Sequence, residues 1–331
     1  MTNLKYLGGI IPFTFVLFFL IVLLVGYLFK NPSYTCWKHD QSPIRNKDKY
    51  NNFQRYFYGL NYQSVYRSGL ENLIQKQRGI YILFAWRLSC FLFFFGIPFL
   101  YGYIHFGGNS AIFFTIWNID LISLFYFLVT VASGIGIIYD SEFSKSHSGS
   151  NIDETPDLSF WSNSIQNFGY ALQILFEIAG STAFFVTVVD FATLNHEFQF
   201  WNVCQHFMTT MSFLVEISLN SMIVRWEHVL FTIAWAMMYL IFIWSMTASD
   251  AVSHWPYFFL NTGTPAVFLW YPGLFLGLFI FYYLFWWVSD VRYRLIDYLE
   301  RRYDRVPLIS PKRNQNKLDS DRMDSIELSA E

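Results

Sequence analysis

Charge is what this chain has least of. Asp, Glu, Lys and Arg make up 14% of its 331 residues, against about 25% in an ordinary soluble protein. The balance of −2 gives no general attraction to nucleic acid, and no nucleic-acid partner is expected. Cysteine is scarce as well. Cys36, Cys90 and Cys204 form no CxxC pair, so neither a disulfide framework nor a zinc site is supported, and all three read as small buried residues. Several catalytic signatures are also missing: HExxH, spaced histidine boxes, the GxSxG elbow and the P-loop. With none of these, no metal or other cofactor is expected. The DRY-type triplet after span three and the NPxxY run in span seven are absent too, which argues against a receptor coupled to G proteins.

Hydrophobic residues are what fill the chain, at 54%, with aromatics at 22%. A helix needs about 20 mostly apolar residues to cross the hydrocarbon core. Seven segments qualify, near 9–29, 80–104, 111–138, 165–190, 198–224, 228–248 and 265–289. The first is too long for a secretion signal and has no small-residue cleavage site after it, so it reads as a span. Tyr101, Tyr103, Trp201, Trp255, Tyr257, Trp286 and Trp287 suit an interfacial belt. The expected fold is therefore all-α, a polytopic transmembrane bundle.

Basic residues set its orientation. Lys and Arg crowd the stretch from Lys30 to Arg78 and again from Arg292 to Arg322, while the loops near 105–110, 191–197 and 249–264 hold none. Positive charge stays on the cytosolic side, and only an odd number of spans puts both basic regions there. Seven spans follow, with the N-terminus outside and the C-terminus cytosolic. The organelle is open: endoplasmic reticulum, plasma membrane and other endomembranes all fit. The organisation reads as 1–79, a first span and basic loop; 80–295, a helical core; and 296–331, a basic juxtamembrane segment and disordered tail. Residues 290–305 read either as a basic amphipathic surface helix or as a solvated continuation of span seven. The loop at 140–158 reads as flexible. Membrane lipids are the expected partners, and oligomeric state is not legible.

Ionisable groups inside spans are costly, so each is a candidate for function. At 100° per residue, Asn202, His206, Thr209, Glu216 and Asn220 share one side of span five. Lipid cannot satisfy such a stripe, so it faces other helices or a wet cavity. The plainer reading is hydrogen-bonding glue between helices. In span three, Thr115 and Asn118 share a face and Asp120 points the other way, with Arg87 of span two a possible partner for it. Span four adds Glu177 and, at its outer end, Asp190. Thr115 and His206 lie at similar depths below the outer face, which Asp190, His196, Asp250 and His254 also approach.

These residues carry a resemblance. The run HFMTTMSFLVE, His206 to Glu216, resembles the His-(x)9-Glu/Asp signature of the androgen-induced-gene and rolling-stone families of membrane proteins. SLNSMIVRWEHVLFTIAWAMMYLIFIW and WPYFFLN resemble the plant and protist branch, as do FFTIWN at 113–118 and WR at 86–87. The resemblance covers roughly 80–295. It implies a membrane threonine hydrolase cleaving fatty acid esters of hydroxy fatty acids, with Thr115 as nucleophile and His206 as its base. Asn118, Asn202 or Thr209 would then stabilise the oxyanion, with Glu216 and Asn220 completing the polar stripe. The rolling-stone branch is associated with cell fusion, so the same resemblance also admits a non-catalytic scaffold, fusion or lipid-binding protein. A transporter or receptor using the stripe as a binding site is a third reading. Paired broken helices in two related halves, expected of a transporter, are not apparent.

Overall fold

The computed structural model describes residues 65–66, 68, 76–96, 111–146, 163–193, 200–252 and 254–304. The first span at 9–29, most of the loop to 79, residues 97–104 of the second span and the tail beyond 304 lie outside the described residues. The contacts divide the chain into two compact units, 1–292 and 293–331. Of the second, the described residues 293–304 are helical.

Helices carry the fold, and among the described residues there is no strand. They are α1 (Lys76–Phe94), α2 (Phe114–Ser146), α3 (Asn163–Thr193), α4, α5 (Val229–Ala248) and α6 (Val267–Asp304). Helix α4 is composite. It starts as α-helix at Phe200–Asn202, widens to a π turn over Val203–Phe207 and returns to α-helix over Met208–Leu219. Four stretches are long and apolar enough to cross a membrane: Phe114–Ile138, Phe168–Ala192, Trp226–Ala248 and Val267–Leu299. That is the mark of a membrane protein. Helix α3 is the central one, with 72% of its most apolar stretch buried, against 28% in α6. Leu269, Leu276 and Ile280 on α6 stand exposed, a surface that suits lipid better than water.

Aromatic rings fill the centre. Phe125 of α2 stacks on Phe213 of α4 at 5.4 Å and meets Phe176 of α3 at 5.7 Å, and Phe176 meets Phe285 of α6 at 5.3 Å. The closest approach falls at Gly180, where a Cβ would stand 2.2 Å from the Phe285 ring. Only glycine lets α3 and α6 come this near.

Two boundaries differ from expectation. Helix α2 runs to Ser146, into the stretch read as a flexible loop, because no Gly or Pro interrupts the chain from Ile137 to His147. Helix α4 stops at Leu219, short of the expected end at 224. Asn220 turns extended there, donates from Nδ2 to Glu216 and accepts the Met222 amide on its own side-chain oxygen at 3.2 Å. An asparagine that bonds the backbone ahead of it competes with the next helical turn.

Candidate functional site: an apolar cavity with a polar end

The start of α2 is held from two directions. The indole of Trp117 donates to the Ala111 carbonyl at 2.8 Å, and the Tyr239 hydroxyl of α5 donates to the Ile112 carbonyl, also at 2.8 Å. These bonds fix the first turn, which carries Thr115. Opposite it lies Tyr257, on the connection between α5 and α6. The Thr115 amide donates to the Tyr257 oxygen at 3.4 Å, and Thr115 Oγ1 lies 3.4 Å from the same atom. Tyr257 was expected in an interfacial belt; instead it is buried. Its ring stacks on Phe259 at 5.0 Å, and Phe113 meets it edge-on at 5.9 Å. Burial pushes the Tyr257 phenol above the usual tyrosine range. The contacts to Thr115 pull it partly back, and the Asp190 carboxylate raises it further.

Asp190 comes from the C-terminal end of α3 and meets His206, with Oδ1 and Nε2 3.3 Å apart and both side chains buried. The π turn presents this histidine. Its characteristic bond runs from the Met208 amide to the Val203 carbonyl. Such a turn adds a residue to the helix and disturbs the ladder of backbone acceptors. Here two hydroxyls serve the His206 carbonyl, from Thr187 at 2.6 Å and Thr209 at 2.5 Å.

Thr115, Asp190 and Tyr257 all line one cavity, whose volume open to the centre of a water-sized sphere is about 70 Å³. The rest of its wall is apolar or aromatic, from α2, α3, α5, α6 and the connection between α5 and α6. A space that size has room for several water-sized spheres, or for part of an alkyl chain.

Comparison with protein-family models, curated proteins and solved structures finds no match.

The structure brings Thr115 and His206 to this end of the bundle by separate contacts, one through Tyr257 and the other through Asp190. It does not gather the whole polar stripe there. Glu216 accepts from Arg87 at 2.9 Å and 2.6 Å, and Asn220 donates to Glu216 at 3.3 Å. The same guanidinium donates to the Val65 carbonyl and to Ser133 Oγ. Arg87 is thus spoken for by Glu216, not by Asp120 as the sequence suggested. Asn118 is buried, and its Oδ1 accepts from Thr182 of α3. Thr209 bonds carbonyls of its own helix. Asn202 is half-buried ahead of the π turn. Cys90 and Cys204 are buried and free, and Cys36 lies outside the described residues.

A second polar cluster lies along α3. Glu177 meets His228 at 2.6 Å and accepts from the Arg225 amide at 3.0 Å and the Tyr282 hydroxyl at 3.3 Å. Every one of these side chains but that of Arg225 is buried. Among the described residues no group of three or more His, Cys, Asp or Glu could hold a metal ion. Sequence reasoning passed over Tyr257 as a site residue and placed Asp190 only near the outer face. The signal that could have found Tyr257 is its place inside WPYFFLN, a conspicuously aromatic stretch for a loop.

Proposed function

We propose that the chain is a multi-pass membrane ester hydrolase with Thr115 as nucleophile and His206 as base, as the family it resembles implies. The observation that carries this reading is the gathering of Thr115, Tyr257 and Asp190 on one mostly apolar cavity, with His206 seated on Asp190. A lone threonine hydroxyl is a poor nucleophile and needs a base within reach. The substrate would be an ester of a fatty acid with a hydroxy fatty acid, its acyl chain in the apolar part and its carbonyl at the polar end.

In this reading Thr115 Oγ1 attacks the carbonyl carbon while its proton passes to His206. The Nε2 contact to Asp190 favours Nδ1 as the basic nitrogen. The tetrahedral intermediate collapses and expels the hydroxy fatty acid as an alcohol, which takes the proton from His206. Water then attacks the acyl-threonine, giving its proton to His206, and fatty acid leaves as Thr115 recovers its own. The bundle around the site would have seven spans, with the N-terminus outside and the C-terminus cytosolic.

The test uses full-length protein in lipid nanodiscs and a palmitate ester of hydroxystearate, with released fatty acid read by mass spectrometry. Thr115→Ala and His206→Ala should each abolish release while the protein still folds, with a lowered midpoint expected only for His206→Ala, which takes the imidazole away from buried Asp190. The double variant should be no worse than either single, because groups that act as a unit are non-additive. Thr209→Ala should cost much less. Release by Thr115→Ala at the wild-type rate sinks the reading.

A non-catalytic scaffold is the second reading, supported by the bonding of Asn118, Glu216 and Asn220. Asn118 and Glu216 bond across helices, with Thr182 and Arg87, as helix glue would, and Asn220 braces Glu216 from the end of the same helix.

A further inference from the structure

We propose that Tyr257 is the oxyanion donor of this site. The inference rests on the threonine-hydrolase reading and adds to it a catalytic residue that the resemblance does not supply.

Elimination points to Tyr257. Three tyrosines line the cavity, and two of them spend their protons elsewhere. Tyr239 donates to the Ile112 carbonyl at 2.8 Å, and Tyr271 donates to the Leu260 carbonyl at 3.3 Å while accepting from the Trp244 indole. Asn118, Asn202 and Thr209 are not among the residues that line the cavity, and the Thr209 hydroxyl points to the carbonyls of Gln205 and His206. Asp190, once ionised, has no proton to donate. Tyr257 alone among these donors faces the nucleophile.

Its hydrogen-bonding roles also fit. The Thr115 amide occupies an acceptor lone pair of the phenol oxygen. Thr115 Oγ1 lies 3.4 Å from the same oxygen, a distance from which the phenol can donate to an oxygen carried there. When Oγ1 bonds the acyl carbon, the carbonyl oxygen that becomes the oxyanion stands two bonds from Oγ1, within the same reach. The phenol lends its proton in a hydrogen bond and keeps it, since the Thr115 proton has gone to His206. Burial, which pushes the phenol above its usual range, keeps that proton in place through neutral pH. The stack on Phe259 and the edge contact with Phe113 hold the ring before substrate arrives, so little reorganisation is needed during reaction.

Tyr257→Phe removes one oxygen and leaves the ring packing. In nanodiscs, with the hydroxystearate ester of palmitate and with p-nitrophenyl octanoate, kcat should fall about 10²–10³-fold. KM should change little, and the unfolding midpoint should stay put. Should the phenylalanine variant not fold, a ring-fluorinated tyrosine at 257 gives the second measurement. Its more acidic phenol should move the alkaline limb of the kcat profile to lower pH. If wild type is active, Thr115→Ala is dead and Tyr257→Phe stays within about threefold of wild type, the Tyr257 assignment falls and the hydrolase reading stands. An unmoved alkaline limb in the fluorinated protein overturns the assignment in the same way. If wild type releases nothing from either ester, both fall together.

Discussion

A guanidinium with no exposed surface must find its partners inside the protein. Arg87 does so with Glu216, the oxygen and nitrogen 2.6 Å apart and neither side chain exposed. Replacing both ions with apolar groups would cost little, but removing one strands the other. Arg87→Leu and Glu216→Gln should each destabilise the protein by about 3–5 kcal/mol. The combined variant should be less damaged than the two losses added together, with coupling of about 0.5–3 kcal/mol. Unfolding midpoints of the three variants in detergent check this, and strictly additive losses would show that the pair does not act as one. The sequence exposed the cost of an intramembrane arginine but not its partner. Asp120 and Glu216 are both acids on other spans, and choosing between them requires knowing which helix faces pack. His206 was legible as a candidate because an imidazole is uncommon in an apolar run, whereas Thr115 is one hydroxyl among many in these spans and drew its role from the family resemblance of FFTIWN. Tyr257 was not legible, since a tyrosine near the end of a span reads equally well as an interfacial anchor.

Helix ends show where local chemistry overrides a hydropathy plot. Helix α5 finishes with the Ala251 amide on the Met246 carbonyl and the Asp250 amide on the Thr247 carbonyl, while Asp250 sits at φ 57°. This is the Schellman arrangement, and its left-handed residue is usually glycine. Aspartate bears the conformation at some cost. Asp250→Gly should therefore raise stability by about 0.5–1 kcal/mol, and Asp250→Val should lower it. Thermal unfolding measures both, and a lower midpoint for the glycine variant would count against the cap. Within α4, a wheel drawn at 100° per residue assumes an unbroken α-helix. The π turn at Val203–Phe207 breaks that assumption, so Asn202 is out of phase with Thr209 and Glu216. Nothing in VCQHF announces a wider turn, because the extra residue is accommodated by packing against α3.

At the scale of the whole molecule, the asymmetry of Lys and Arg governs which way the chain threads the bilayer. Tags after Glu331 and within 40–60 should both be protected in intact cells or sealed vesicles. A tag ahead of Thr2 should be accessible from the outer or lumenal side. Termini on the same side would remove the seven-span arrangement. That the described part is a helical bundle was plain from composition and run length. Which helix lies at its centre was not, for α3 is no more apolar than its neighbours. It becomes central through small residues such as Gly180, whose contact with Phe285 leaves no space for another atom. That contact has a mechanical consequence. The cavity residues Val186 and Asp190 on α3, and Leu274 and Leu278 on α6, all lie on one side of it, roughly 9–17 Å along the helices. If the two helices part about Gly180 to admit a bulkier guest, the displacement grows with distance from that fulcrum, so the Asp190 end would gain the most width and the Gly180 end the least.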